Sequence, residues 1–247
     1  MAVNSLVTAL DCVSQAPKLC WHGDKRIVPH AIKKRLRRLV EPETAVFSRM
    51  YKGNWWGDRE SVSGAGSSLD QTKAVREILP QILIDHNVGK ILDLPCGDFN
   101  WMRTLSLPVD SYVGADVVPD IIRANQASYG GPKREFRVLD ITRSELPRAD
   151  LLLCRDCLMH LSYPLISRAI TQILRSEITY LLTTSYLEGA NKCIETGSWF
   201  PINLTAEPFR FPAPLLEFQD GPDVSHRLAL WRIADLREAL AGRTFGV

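Results

Sequence analysis

The sequence predicts an α/β fold with a mostly parallel, doubly wound sheet, and two features of the chain carry this prediction. Between residues 69 and 190, short apolar runs alternate with segments that can form helices, which implies right-handed crossovers between parallel strands. Four successive runs also end at or beside an aspartate, where a strand in a buried parallel sheet has no use for charge. With 247 residues, 45% of them hydrophobic, the chain can form one large domain with an appendage.

The expected elements follow in order along the chain. A helix begins near Ser68, which forms an S-x-x-Q capping box with Gln71, and Pro80 is expected to kink it. The predicted strands are residues 90–94, 111–116, 135–140, 150–155 and 179–185, and the predicted helices between them are 100–105, 118–127 and 163–176. An antiparallel closing pair at 215–219 and 228–233 and a last helix at 234–241 complete the domain.

Residues 1–68 are predicted to form an arm that precedes a main domain of residues 69–247. The arm contains a basic helix at residues 29–40 with a narrow apolar stripe, and its cations are Lys33, Lys34, Arg35, Arg37 and Arg38. We favour a solvated face that packs on the main domain, and contact with an acidic partner, a membrane surface or a nucleic acid is the alternative. Trp55 and Trp56 either anchor the arm in the core or belong to a lid, residues 51–68, that covers a ligand.

Composition gives weaker expectations about the environment of the protein. The net charge of +2 indicates no particular partner, and no apolar run approaches the roughly 20 residues that span a bilayer. The N-terminus does not resemble a secretory signal, and the six cysteines are expected to be free thiols, so we expect a cytoplasmic protein. We expect no metal site, because neither Cys12, Cys20 and His22 nor the Cys154–Cys157 pair completes a ligand set.

The acidic strand ends predict one ligand site. Asp93, Asp116, Asp140 and Asp156 stand at the carboxyl ends of four predicted strands, which meet at one edge of a parallel sheet. Each alone is equally well a helix N-cap, but four together favour a polar pocket. The spacing from Gly97 to Asp116 is close to the roughly 20 residues between a glycine turn and an acid that binds a ribose diol. These residues predict an adenosine-containing cofactor, and NAD, FAD and S-adenosylmethionine (SAM) all remain possible on this basis.

The segment Asp93-Leu-Pro-Cys-Gly-Asp-Phe99 resembles the first motif, D-x-G-x-G-x-G, of the class I SAM-dependent methyltransferases, and the resemblance covers roughly residues 70–240. The leading aspartate and the middle glycine are kept, while Pro95 and Phe99 replace the outer glycines. A bacterial subgroup with an L-D-x-P-C-G-D-x-x-W signature is still more similar. The resemblance implies a seven-stranded Rossmann-like sheet with an antiparallel C-terminal strand, and SAM as the cofactor. The candidate cofactor-binding residues are then Asp93, Pro95, Cys96 and Gly97 for the methionine, Asp116 and Val117 for the ribose, Asp140 and Ile141 for the adenine, and Arg155.

The resemblance also places the acceptor side of the site. Residues 150–162 resemble the fourth-strand motif of the family, whose end faces the methyl group and the acceptor. Asp156 and His160 are the catalytic candidates, and His160 is either a general base or a histidine that is hydrogen-bonded to the backbone. Side chains from the lid and from the loop at 186–203 are candidates for acceptor contact, with structural turn roles equally open, and they are Trp56, Tyr186, Asn191, Trp199 and Asn203.

The sequence therefore predicts SAM-dependent methyl transfer to an oxygen or nitrogen of a small molecule or glycan. One alternative is a SAM-binding regulatory or scaffold protein without catalysis. Another is a protein or nucleic-acid methyltransferase that recruits its acceptor through the basic helix. The N-P-P-Y-type fourth motif for amino groups on bases is absent, which makes a nucleic-acid acceptor less favoured.

Overall fold

The computed structural model describes residues 43–243, and within that range seven strands form one sheet. The strands are β1 (Lys90–Asp93), β2 (Ser111–Asp116), β3 (Arg134–Val138), β4 (Leu151–Cys154), β5 (Tyr180–Tyr186), β6 (Leu216–Gln219) and β7 (His226–Arg232). Their order in the sheet is β3-β2-β1-β4-β5-β7-β6. Strands β1 to β5 pair in parallel, while β7 is antiparallel to both β5 and β6. The predicted fold class is thus confirmed: a seven-stranded, mostly parallel Rossmann-like sheet with antiparallel C-terminal strands.

The described helices are α1 (Glu43–Lys52), α2 (Lys73–Asp85), α3 (Pro119–Tyr129), α4 (Tyr163–Arg175) and α5 (Ile233–Ala239). Helix α2 begins later than expected, because Ser68 Oγ accepts the Gln71 N–H within a turn that precedes the helix. The helix then continues through Pro80. The helix expected at residues 100–105 is wrong: the segment contains only a short 3₁₀ turn, Met102–Thr104. The following Leu107-Pro108 pair favours extended backbone, which disfavours a longer helix here.

The core lies on both faces of the sheet, as a doubly wound fold requires. In β4, Leu152 packs into one apolar cluster, while Leu151 and Leu153 pack into the other. This alternation follows from the two-residue period of a strand. Helix α4 supplies the first cluster with Leu165, Ile166, Ala169, Ile170 and Ile173, and helix α2 supplies the second with Val75, Leu79, Ile82 and Leu83.

The last strand begins earlier than the sequence indicated. Strand β7 begins at His226 rather than at residue 228, and it pairs with β5 from Tyr180 opposite Arg232 to Tyr186 opposite His226. The antiparallel pairing with β6 is as predicted. The earlier start matters for the site, because it brings His226 beside Tyr186 at the carboxyl end of β5.

Some expectations fall on residues that the structure does not describe. The basic helix with Lys33–Arg38, and the trio Cys12, Cys20 and His22, lie outside residues 43–243. Cys96, Cys154 and Cys157 are free thiols, whereas Cys193 is disulfide-bonded, so the expectation of six free thiols is wrong. Among the described helices, none has both the length and the apolar character needed to cross a bilayer.

Candidate functional site

A cavity of about 490 Å³ opens at the carboxyl edge of the sheet. It lies beside the ends of β1 and β4, where the strand order reverses and open α/β sheets bind their ligands. Asn191 and Asn203 are the two predicted site residues that do not line it. The predicted residues that do are Trp56, Asp93, Pro95, Cys96, Gly97, Asp116, Val117, Asp140, Ile141, Arg155, Asp156, His160, Tyr186 and Trp199.

Hydrogen bonds between its backbone and side chains of β2 and α3 hold the loop after β1 in place. Gly97 donates its N–H to Asp116 Oδ2 over 3.2 Å, and Asn125 Nδ2 donates to the Gly97 carbonyl over 2.7 Å. Gly97 has φ of 53°, and a Cβ there would lie 2.3 Å from Ser63 Oγ. Only glycine fits both the left-handed backbone and the close approach. Steric constraints therefore explain why the motif has a glycine at this position.

Two buried carboxyl groups face the cavity from β1 and β2. Burial raises the pKa of Asp93 to about 7, although the Tyr112 hydroxyl donates a 2.5 Å hydrogen bond to it. Burial also raises the pKa of Asp116 to about 6, against the N–H groups of Val118 and Gly97, which favour the ionised form. Two carboxyl groups in this state suit a cationic ligand with hydroxyl groups, because such a ligand restores the charge balance and the hydrogen bonds that water would supply.

Helix α1 closes the end of the cavity near β3. Arg143 Nη2 forms a 2.7 Å ion pair with Glu43 of α1, and its Nε lies 3.6 Å from Asp140. Asp140 Oδ1 also accepts hydrogen bonds from the N–H and the hydroxyl of Thr142. Asp140 stands two residues beyond the end of β3 and not within the strand as predicted. Its neighbour Ile141 is buried and supplies an apolar wall.

Residues 56–67, which we call the cover, lie across the cavity and are tied to the loop after β1. Asp98 accepts hydrogen bonds of 2.9 Å from the Ser61 hydroxyl and the Val62 N–H, while its own N–H donates to Ser63 Oγ over 3.0 Å. No local pattern singles out Asp98, since its partners lie 35 to 37 residues earlier in the chain. The Trp56 ring lines the cavity and Trp55 is 52% exposed. Neither tryptophan belongs to the buried core, so the core-anchoring alternative is wrong.

His160 lines the cavity with a tautomer that its surroundings define. Its Nδ1 lies 2.9 Å from the Ser198 carbonyl, which can only accept, so Nδ1 carries the hydrogen and the neutral ring has its lone pair on Nε2. Burial lowers the pKa of His160, although the Ser198 carbonyl and the charge of Asp156 oppose the shift. His160 is therefore bonded to the backbone, as one alternative proposed, and still presents an unprotonated nitrogen at neutral pH.

Asp156 is ionised and densely paired. Its Oδ2 lies 3.0 Å from Arg155 Nη1, and its Oδ1 lies 2.9 Å from His226 Nε2. Burial opposes the charge of Asp156, but Arg155 and His226 together hold its pKa well below the usual range. Asp156 can accept hydrogen bonds at neutral pH but is a poor proton acceptor. His226, which the sequence analysis missed, also lines the cavity. It gave no sequence signal because its partner lies 70 residues away.

Aromatic rings form the mouth of the cavity. The Tyr186 and Trp199 rings meet edge to face with centroids 6.2 Å apart, and Trp199 is 55% exposed. The Trp56 and His160 ring centroids are also 6.2 Å apart. Flat apolar faces of this kind suit an acceptor with a ring or a sugar face.

The two predicted asparagines brace the loop instead of facing the cavity. Asn191 Nδ2 donates to the Asn203 and Glu207 carbonyls over 2.7 Å each. Asn203 Oδ1 accepts hydrogen bonds from the N–H and the hydroxyl of Thr205. These bonds correspond to the turn role that the sequence left open, and we do not include Asn191 and Asn203 in the proposed site.

Cys157, which follows β4, has the environment of an inert thiol. Cys157 lines the cavity, and a hydrogen bond with Cys154 together with burial raises its pKa well above the usual value. A thiol in this state is a weak nucleophile. Within residues 43–243, no group of three His, Cys, Asp or Glu side chains is arranged to hold a metal ion.

Known proteins are similar to this chain in structure. No protein-family model and no curated protein sequence matches it. Its structure is similar to magnesium protoporphyrin IX methyltransferase (ChlM) from Synechocystis PCC 6803 with bound SAM, with a TM-score of 0.53 and 12% identity over 76% of this chain and 95% of that one. It is also similar to N-methyltransferase NodS from Bradyrhizobium japonicum WM9 in complex with S-adenosyl-L-homocysteine (SAH), with a TM-score of 0.53 and 16% identity over 74% and 97% of the two chains. At this identity the likeness establishes the fold that the chain shares with SAM-dependent methyltransferases.

Proposed function

We propose that the protein is a SAM-dependent methyltransferase that acts on an oxygen or nitrogen of a small molecule or glycan. One observation carries the proposal: a single cavity at the reversal of strand order combines buried carboxyl groups on one wall with His160 and Asp156 on another. Such a cavity can hold a cofactor and an acceptor side by side. The shared fold with methyltransferases that were solved with SAM or SAH supports the cofactor identity.

The residues on the cofactor wall fit SAM in charge and in shape. Asp93 would accept a hydrogen bond from the methionine amino group. A cation beside a buried carboxyl with a pKa near 7 stabilises its ionised form. Asp116 would accept hydrogen bonds from the ribose hydroxyls, and Asp140 and Ile141 would flank the adenine. Pro95, Cys96 and Gly97 would contact the methionine chain, with Val117 and Arg155 completing the wall. SAM supplies an activated methyl group on a sulfonium when it is bound.

The residues on the acceptor wall would align the acceptor and take its proton. His160 Nε2 would accept the proton of an acceptor O–H or N–H group, for which a neutral imidazole is well matched at pH 7. The Asp156 carboxylate would accept a hydrogen bond from a second hydrogen of the acceptor, on the same amino group or on a neighbouring hydroxyl, and so orient it. Trp56, Tyr186 and Trp199 would pack on the acceptor and exclude water, and alignment of this kind is a major part of catalysis in a displacement reaction.

Calorimetric titration with SAM tests the cofactor assignment. We expect Asp116→Ala to abolish measurable SAM binding, because it removes both the diol acceptor and the partner of the Gly97 N–H. Asp85→Ala is the matched control, since Asp85 is exposed on α2 and does not line the cavity. Equal SAM affinity in the wild type and in a folded Asp116→Ala variant would contradict the assignment.

A second experiment separates an enzyme from a SAM-binding regulator or scaffold. The protein is incubated with methyl-labelled SAM and a fractionated cell extract. We expect label in at least one fraction, and a strongly reduced rate of labelling with His160→Gln. SAM binding without transfer to any fraction would favour the non-catalytic alternative.

Three expectations about the wider protein stay proposals. The division into an arm, residues 1–68, and a methyltransferase domain, residues 69–247, is one, and a cytoplasmic location is another. The third is recruitment of an acidic or nucleic-acid acceptor through Lys33–Arg38. An acceptor affinity that does not change with salt would argue against the third proposal.

A further inference from the structure

The turn between β6 and β7 brings a histidine to the cavity that no motif indicates. The Nε2 of His226 lies 2.9 Å from Asp156 Oδ1, and the His226 ring stacks on Tyr186 with centroids 5.0 Å apart and planes 16° apart. The β5–β7 register places Tyr186 directly opposite His226. Strand pairing, ring stacking and a hydrogen bond therefore fix the orientation of one imidazole.

Asp156, the partner of this imidazole, has a strained backbone. Its φ is 51°, in the left-handed region that residues other than glycine rarely adopt. The Asp156 N–H donates to Thr184 Oγ1 over 2.9 Å, and the Thr184 hydroxyl donates back to Asp156 Oδ1 over 3.1 Å. Such strain persists only where the surroundings enforce it, and it is concentrated at functional sites.

The position of this carboxylate defines the space that remains for an acceptor. A Cβ on Gly66 would lie 3.2 Å from Asp156 Oδ2, so the backbone of the cover passes close to this oxygen. The same carboxylate also lines the cavity together with His160 and Trp199. A shift of Asp156 would therefore change the geometry beside the proposed base.

Carboxyl groups outnumber cationic side chains around His226, which favours a protonated ring. The charged groups near it are Asp156, Asp220, Asp223 and Arg155, and the Tyr186 ring stacks on it. Arg155 pairs with both Asp156 and Asp220, so that one guanidinium faces two carboxyl groups. An imidazolium at His226 offsets part of the remaining charge.

We propose that His226 is a positioning residue for methyl transfer, which holds the Asp156 carboxylate where it accepts a hydrogen bond from the acceptor. This inference rests on the proposed function, and it narrows the acceptor to molecules that offer two hydrogens at the reacting end, as one amino group or two adjacent hydroxyl groups do. Through Asp156, His226 aligns the reacting group, while His160 takes the proton.

Substitutions of His226 test the inference, with methyl-labelled SAM and the active extract fraction as the assay. We expect His226→Phe, which keeps a ring against Tyr186 but has no donor, to lower kcat on the order of 10²-fold, as small misplacements at a reacting centre do. The KM for the fraction and the calorimetric affinity for SAM should stay close to wild type. His226→Gln, which restores a donor near the position of Nε2, should recover most of the rate. His86→Phe is the control, because the His86 ring lies against Tyr180 and away from the cavity.

Each outcome of these experiments either supports or overturns the positioning role of His226. A wild-type kcat in His226→Phe, or a parallel loss of kcat and SAM affinity, would overturn the positioning role. Should His226→Phe not fold, Thr184→Val loosens the same carboxylate without changing the ring, and it should lower kcat with SAM affinity retained. A wild-type protein that binds SAM but labels no fraction would overturn the proposed function, and the inference with it.

Discussion

The N–H of Gly97 donates a hydrogen bond to the carboxylate of Asp116 over 3.2 Å, although the two residues are 19 positions apart in the sequence. The bond joins the turn after β1 to the end of β2, and both residues line the cavity. The sequence spacing that predicted a cofactor site therefore separates two residues, the turn glycine and the aspartate, that are in direct contact in the fold.

Gly97→Ala should weaken SAM binding by at least about tenfold and destabilise the fold by about 1–3 kcal/mol, as strained positions of this kind do. The added Cβ would lie 2.3 Å from Ser63 Oγ at a backbone φ of 53°. Calorimetry and thermal unfolding measure the two effects. Gly131→Ala is the matched control, because nothing lies within 4 Å of its Cβ position. If both variants had the same SAM affinity and the same stability, the close approach of Ser63 to Gly97 would have no role in either property.

SAM affinity should fall as the pH decreases below 7. Asp93 has a pKa of about 7 and Asp116 of about 6, so protonation removes first the partner of the methionine amino group and then the diol acceptor. We expect the dissociation constant to rise about tenfold per pH unit for each proton taken up below these values. Titrations between pH 5 and pH 8.5 check this slope, and a flat profile would contradict the proposed role of both carboxyls.

The same shifts have the opposite effect on the stability of the free protein. A carboxyl whose pKa is raised on folding contributes stability that is fully present below its unfolded pKa, near 3.8, and is lost as the pH rises through the folded pKa. Through Asp93 and Asp116, the free protein should lose stability as the pH rises from about 4 to about 7. Saturating SAM should reduce this loss. Denaturant unfolding at several pH values measures it, and the reverse trend in the Asp93 and Asp116 contributions, isolated with Asn variants, would be inconsistent with these pKa values.

Asp98→Ala should release the cover. The substitution removes the acceptors of the Ser61 hydroxyl and the Val62 N–H, and hydrogen bonds to a charged group contribute about 1.5–3 kcal/mol each. Hydrogen exchange in residues 58–68 should become faster, and SAM affinity should decrease severalfold. Asp70→Ala, on an exposed aspartate next to this segment, provides the comparison. Unchanged exchange in the Asp98 variant would argue against a cover held by this residue.

His160→Gln should lower the transfer rate by about 10²–10⁴-fold, the range for loss of a general base, with little effect on SAM affinity. Because the pKa of His160 lies below its ordinary value of 6.5, the wild-type rate should rise with pH only below that value. The variant should lose this rise. A pH–rate profile on the labelled fraction measures both. A variant that keeps the rise would exclude His160 as the base.

The fold could be predicted from local patterns because β1, β2 and β4 are largely apolar runs that end at or beside an aspartate. The predicted strand bounds agree with β1, β2 and β5 to about one residue. The pattern failed at residues 100–105, where Trp101 and Met102 are buried without a helix. Helix-compatible residues there serve the core through an irregular turn, which periodicity does not distinguish from a helix.

The candidate site was only partly accessible to sequence reasoning. The aspartates at the strand ends could be predicted because parallel strands bring their carboxyl ends together. His226 and Asp98 could not be predicted, because each acquires its role from a partner that is distant in sequence and adjacent only after folding. Asn191 and Asn203 illustrate the converse, since polar loop residues beside a pocket can satisfy loop backbone groups instead of a ligand.

A crystal structure with SAH bound would test the central claim most directly. The account predicts that SAH occupies the cavity at the carboxyl edge, with its ribose hydroxyls on Asp116 and its sulfur facing the space between Asp156 and His160. SAH bound elsewhere, or a cavity that stays free of it at saturating concentration, would contradict the claim.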